Sequence, residues 1–113
     1  MAAAGSPDGE YRLGTLRVLA RDRVAKLADG DSIAGSTLTL DGALRQAVES
    51  VRLPVQTAVA ALTQVPARVI GRSHDLGRLA VGYAADALLL DETLHIDAVW
   101  AGGRRLPHAS PGQ

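Results

Sequence analysis

The chain has no cysteine, no phenylalanine, one tryptophan, two tyrosines and one methionine in 113 residues. Without cysteine there are no disulfides and no thiolate metal sites, which fits a reducing cytoplasm. With so few aromatics, Ala, Val and Leu must supply the core, and such a core packs closely or leans on another surface. Charge of one sign is also missing: twelve basic and twelve acidic residues cancel. No strong field draws nucleic acid or anionic membrane, and no arginine cluster alternates with aromatics to stack bases. No apolar run approaches the ~20 residues that span a bilayer. The small residues at 1–5 lack the charged and hydrophobic parts of a signal peptide. There is no internal repeat.

What remains is the makeup of one small globular unit, or of a piece of a larger one. Ser6-Pro7-Asp8-Gly9 reads as a turn. Tyr11–Leu19 and Val24–Leu27 read as the two arms of a hairpin around Arg21-Asp22-Arg23, ended by Asp29-Gly30-Asp31. A loop of small residues, 33–36, then runs into a helix with Thr39 as N-cap and Asp41 in its first turn. Leu40, Leu44, Ala47, Val48 and Val51 share one face, which predicts a helix over 40–51. A second helical region is expected over 54–70. Pro54 stands at its first position, Pro66 opens a short third helix to Ile70, and Gly71 closes it. The pattern then changes to strands, at 76–80, 86–91 and 95–100, followed by a turn at Gly102-Gly103, a short strand at 104–106 and a frayed tail from Pro107. The fold class is α+β.

Chemistry-bearing residues are scattered. His74, His95 and His108 stand alone, without His-x-His or His-Glu-x-x-His spacing, and read as solvent-exposed side chains. Asp29 and Asp31 straddle Gly30 as turn aspartates, and Asp86 and Asp91 punctuate a strand, with Asp86 satisfying local amides. No Gly-x-Ser-x-Gly elbow and no phosphate-binding glycine loop is present. Ile33-Ala34-Gly35-Ser36-Thr37 is the one local feature with ligand-binding character, since small residues let a ligand reach backbone amides. Composition alone favours the simpler reading, a tight loop whose glycine and serine serve backbone geometry.

The stretch Ile33-Ala34-Gly35-Ser36-Thr37-Leu38-Thr39-Leu40 and the later Gly77-Arg78-Leu79-Ala80-Val81-Gly82-Tyr83-Ala84-Ala85-Asp86, running on to Asp91, together resemble the carboxy-terminal part of the N-acetylglucosamine-6-phosphate deacetylases. These are members of the amidohydrolase superfamily. The later stretch alone is similar to the superfamily at large; the Ala-Gly-Ser-Thr-Leu-Thr segment narrows it. The resemblance covers nearly the whole chain. Leu40 stands where methionine is usual, Val65 where an asparagine would cap the Pro-Ala-Arg helix, and Tyr83 where Lys or Arg is common. Losing that cap would weaken the helix start by about 1 kcal/mol.

The resemblance implies a carboxy-terminal fragment. Residues 1–75 would be the last helical part of a TIM barrel, 76–106 the final strands of a small β-sandwich, and 107–113 a disordered tail. It implies hydrolysis of the N-acetyl group of an amino-sugar phosphate, giving glucosamine 6-phosphate and acetate, in the cytoplasm. The zinc-like divalent metal, its ligands and the catalytic aspartate would all lie before Met1, leaving no catalytic or metal-binding residue here. By resemblance, Ile33, Ala34 and Gly35 would touch the substrate. The partner would be the amino-terminal barrel portion of the same enzyme, with oligomers expected only of the complete enzyme and no activity from this chain alone. Two other readings stand beside it: the tail of another amidohydrolase, and a non-catalytic interaction module.

Overall fold

The computed structural model describes residues 4–107. The expected frayed tail, and with it His108, lies outside the described residues apart from Pro107. The chain forms two compact units, Met1–Thr39 and Leu40–Gln113.

The first unit is an antiparallel meander of β1 (Gly9–Leu13), β2 (Leu16–Arg21), β3 (Val24–Leu27) and β4 (Ile33–Gly35), in that spatial order. Two expectations are corrected here. Tyr11–Leu19 is not one arm but two strands, because Gly14 takes φ +61° and starts a two-residue turn between paired Leu13 and Leu16. Glycine at the first loop position is the choice for a tight hairpin of this kind. The expected loop at 33–36 is also partly a strand, since Ile33–Gly35 pairs with β3 and forms one edge of the sheet.

The β2–β3 turn falls where it was expected. Asp22 and Arg23 both adopt positive φ, 51° and 62°, a strained choice for non-glycine residues. Two side chains hold the turn. Asp8 Oδ2 accepts the Asp22 amide at 3.1 Å, and the Thr37 hydroxyl donates to the Arg23 carbonyl. Val18, Ala20 and Ala25 are buried on one sheet face, with Ala20 directly opposite Ala25. Glu10 and Arg17 form a two-pronged pair on the other face, at 2.7 and 3.0 Å.

The second unit carries α1 (Leu40–Arg45), α2 (Val55–Leu62), α3 (Gln64–Val69), β5 (Ala87–Leu90), β6 (Ile96–Ala101) and β7 (Arg104–Leu106). The expected 40–51 helix is α-helical only to Arg45. It widens into a π-helical turn over Gln46–Ser50, with the Val51 amide bonded to the Gln46 carbonyl at 3.1 Å. Pro54 precedes α2 as its cap residue instead of standing at the first position. Pro66 does not open α3 but sits at its third residue, where its missing N–H is one the first turn leaves unbonded anyway. Val65 is thus inside the helix, and Thr63 occupies the boundary with φ −127°. Gly71 ends α3 as expected. Its amide bonds the Arg68 carbonyl at 3.0 Å and the Arg72 amide bonds the Ala67 carbonyl at 2.8 Å, the Schellman pairing.

The expected strand at 76–80 is absent. Gly77 turns at φ +86° and lies so close to α3 that a Cβ there would sit 2.9 Å from the Thr63 carbonyl oxygen. That docking, with a second left-handed glycine at position 82, prevents an extended run. The remaining strands form an antiparallel sheet in the order β5-β6-β7. Its β6–β7 hairpin turns at Gly102-Gly103, both at positive φ, as the sequence leads one to expect. Arg105 lies 5.9 Å from the ring centre of Trp100, its register partner.

Among the described residues of this unit Leu44, Ala58, Ala67 and Ala98 are buried, so complete burial falls mostly on alanines. Leu79, Val81 and Ile70 are largely exposed. No helix among the described residues is long and apolar enough to cross a membrane.

Candidate functional site

The segment singled out by sequence lies on an open strand edge. Gly35 pairs with Ala25 and Ile33 with Lys26, so Ala34 is an extra residue without a partner in the register. Bulges of this kind bend a strand and free a backbone unit from its ladder. Ile33 is 75% exposed, and the space where a Gly35 side chain would project is empty to 4 Å. The segment is fixed at both ends. The Leu27 amide bonds the Ser32 carbonyl at 2.9 Å, the Leu38 amide bonds Ser36 Oγ at 3.0 Å, and Thr37 holds the β2–β3 turn. Ile33, Ala34 and Gly35 therefore share one accessible strand. None can carry a proton at neutral pH, so this strand can bind and orient a polar ligand but cannot do acid–base work.

The carboxylates serve structural bonds, and Asp86, expected to satisfy local amides, instead reaches one 16 residues away. Asp31 pairs with Lys26 at 2.7 Å and forms no dyad with Asp29. Asp86 Oδ1 accepts the Gly102 amide at 2.7 Å, tying the start of β5 to the β6–β7 turn. Asp91 Oδ1 accepts the amides of Thr93 and His95 and the Thr93 hydroxyl, at 2.8–2.9 Å. The His95 amide, then the Thr93 hydroxyl, lower the Asp91 pKa. Asp75, which the sequence did not single out, is held low chiefly by its hydrogen bonds from Arg72.

The histidines stay apart. His74 Nε2 lies 3.5 Å from Asp75, and His95 Nδ1 lies 2.9 Å from the Thr93 hydroxyl. Among the described residues no group of three or more His, Cys, Asp or Glu could hold a metal ion. The described donors therefore do not fit a divalent metal.

One concave feature escaped the sequence reading. A cleft of about 270 Å³ runs beside α3, with Arg68, Arg78, Gln64 and Ser73 on its wall. Arg68 was placed on a helix without a role, and nothing in the spacing of residues 68 and 78 shows that a turn at Gly77 brings both to one surface.

The sequence model of the amidohydrolase family matches residues 14–106. The chain belongs to the amidohydrolase family. It is 38% identical over 104 residues to the N-acetylgalactosamine-6-phosphate deacetylase of Escherichia coli O157:H7, covering 92% of this chain and 27% of that one. It is 31% identical to the N-acetylglucosamine-6-phosphate deacetylase of Caenorhabditis elegans, over 94% of this chain and 25% of the relative. Among solved structures it superposes on an N-acetyl-D-glucosamine-6-phosphate deacetylase mutant from Mycobacterium smegmatis in complex with N-acetyl-D-glucosamine-6-phosphate. There the TM-score is 0.80 at 38% identity, over 93% of this chain and 28% of that one. The enzyme from Pasteurella multocida gives a TM-score of 0.84 at 22% identity, a likeness of fold. The chain spans about a quarter of the length of each of these relatives.

Proposed function

We propose that this chain is the carboxy-terminal part of an amino-sugar-6-phosphate deacetylase, in which it helps hold substrate while the rest of the enzyme performs the chemistry. In this reading residues 1–75 complete a TIM barrel, 76–106 complete a small β-sandwich, and the amino-terminal barrel portion is the partner. That portion brings the zinc-like metal and the catalytic aspartate, for which the described residues offer no substitute. The role of Ile33, Ala34 and Gly35 is to present an open strand edge to the sugar phosphate. The observation that carries the proposal is this accessible, bulged edge in a chain whose relatives are N-acetylhexosamine-6-phosphate deacetylases.

The likeness to an N-acetylgalactosamine-6-phosphate deacetylase, at 38% identity, supports a second reading in which the galacto epimer is the substrate. Both are tested by joining residues 1–113 to the barrel portion of a relative and measuring acetate release from each N-acetylhexosamine 6-phosphate. Turnover of one of them, absent from residues 1–113 alone, is expected. Acetate release by the isolated chain above a metal-only control would overturn the proposal, as would a soluble chimera inactive on both epimers.

A further inference from the structure

We propose that the cleft beside α3 binds a small phosphate-type oxyanion between the guanidinium groups of Arg68 and Arg78. The inference uses none of the residues of the β4 edge. The neighbouring arginines show what is unusual about these two. Arg45 is paired with Asp41, and Arg72 meets both oxygens of Asp75 through Nε, at 3.1 and 3.3 Å. The side chains of Arg68 and Arg78 have no ion pair or hydrogen bond among the described residues, yet both residues line the same cleft. No carboxylate lines it, and Asp75, the acid of the adjoining loop, is already engaged by Arg72.

Two like charges on one concave surface repel each other, and an anion between them removes that repulsion while accepting hydrogen bonds from both forks. The Gln64 amide and the Ser73 hydroxyl add neutral donors on the same wall. Val65 and Leu76 supply an apolar part of the lining. At about 270 Å³ the space falls below the range of drug-sized pockets, so it suits a phosphate or a short phosphate monoester and not a nucleotide. Both arginines are exposed, so solvent and salt screen the attraction and binding is weak and sensitive to ionic strength.

The test is an NMR titration of the full 113-residue chain at low salt with inorganic phosphate, and in parallel with propyl phosphate, against chloride at matched ionic strength. Saturable shifts are expected at the side-chain Nε–H of Arg68 and Arg78 and at the Ser73 amide. Arg68→Gln and Arg78→Gln should each weaken binding about fivefold, whereas Arg52→Gln, outside the cleft, should leave it unchanged. Arg78→Gln lies in a loop, and an unchanged far-ultraviolet spectrum separates lost binding from lost folding. Tighter binding of propyl phosphate assigns the site to monoesters, and equal binding assigns it to free phosphate. Shifts that never saturate, or that persist in the double variant, overturn the proposal.

Discussion

Arg45 Nη1 donates to the carbonyl of Leu94 at 3.2 Å, joining α1 to the loop between β5 and β6 across 49 residues of sequence. The same guanidinium meets Asp41 Oδ2 at 2.8 Å one turn back along the helix. Leu94 lies in that loop with a left-handed backbone, φ +60°, outside the ladder of β5 and β6. One side chain thus links helix and sheet in a unit where complete burial falls mostly on alanines.

That economy makes Arg45 worth more than an ordinary surface arginine. Its side chain is only 22% exposed and its partner Asp41 28%. Arg45→Ala should cost about 1–2 kcal/mol, because it removes a charged hydrogen bond as well as an ion pair. Arg17→Ala, in the exposed pair with Glu10, should cost clearly less, because solvent screens that pair. Urea denaturation of both variants checks the order, and equal losses would show that the Leu94 bond contributes nothing.

Gly77 and Gly82 have nearly the same backbone, φ +86° and +87°, but different surroundings. A Cβ at Gly77 would meet the Thr63 carbonyl oxygen at 2.9 Å and the Gln64 Cα at 3.0 Å, whereas at Gly82 it would meet nothing within 4 Å. Gly82→Ala should therefore cost only the conformational strain, about 1 kcal/mol. Gly77→Ala adds a backbone clash and should cost at least about 2 kcal/mol. A smaller loss at position 77 than at 82, in parallel thermal melts, would show that the close approach to α3 is soft.

Much of this fold was legible because it rests on local chemistry. The Gly102-Gly103 hairpin and the Gly71 helix stop each follow from what their residues do to φ. Two of the misses come from contacts distant in sequence. Leu79 and Val81 suggest a strand at 76–80, but Gly77 is drawn onto α3, which no local pattern shows. Ile33–Gly35 looks like a loop of small residues until β3 supplies its ladder. The candidate site was readable as a segment, through its small residues and its resemblance. Its open edge, and the meeting of Arg68 and Arg78, follow only from tertiary placement.

Acid should loosen the second unit through two aspartates. Asp75 is lowered first by hydrogen bonds from Arg72, and Asp91 first by the His95 amide. A carboxylate whose pKa is lower folded than unfolded adds stability above the unfolded value, about 3.9, and loses it as pH falls through the folded value. Stability should thus be flat near neutrality and decline below about pH 5. Asp91→Asn should flatten part of that decline while lowering stability at pH 7. An acid limb of the same steepness in this variant, measured by denaturation at pH 3 and pH 7, would remove Asp91 from the account.

At the β4 edge, KM separates binding from folding. Gly35 ends the strand with open space where a side chain would go, but at φ +159°, which side chains rarely adopt, so Gly35→Leu should cost the isolated chain about 1–2 kcal/mol of backbone strain without a clash. In the complete enzyme the same leucine would occupy the space through which a sugar phosphate reaches the backbone of Ile33 and Ala34. It should raise KM at least about tenfold, the signature of lost substrate binding. Thr37→Val tests the same strand from behind, since it removes the hydroxyl that holds the Arg23 carbonyl without entering the open space. It should lower stability by about 1 kcal/mol and leave KM nearly unchanged. Both variants therefore lose some stability, but only Gly35→Leu should raise KM if the strand edge is where substrate sits. Normal kinetics in Gly35→Leu would take the substrate role away from Ile33, Ala34 and Gly35 and leave β4 as a structural edge alone.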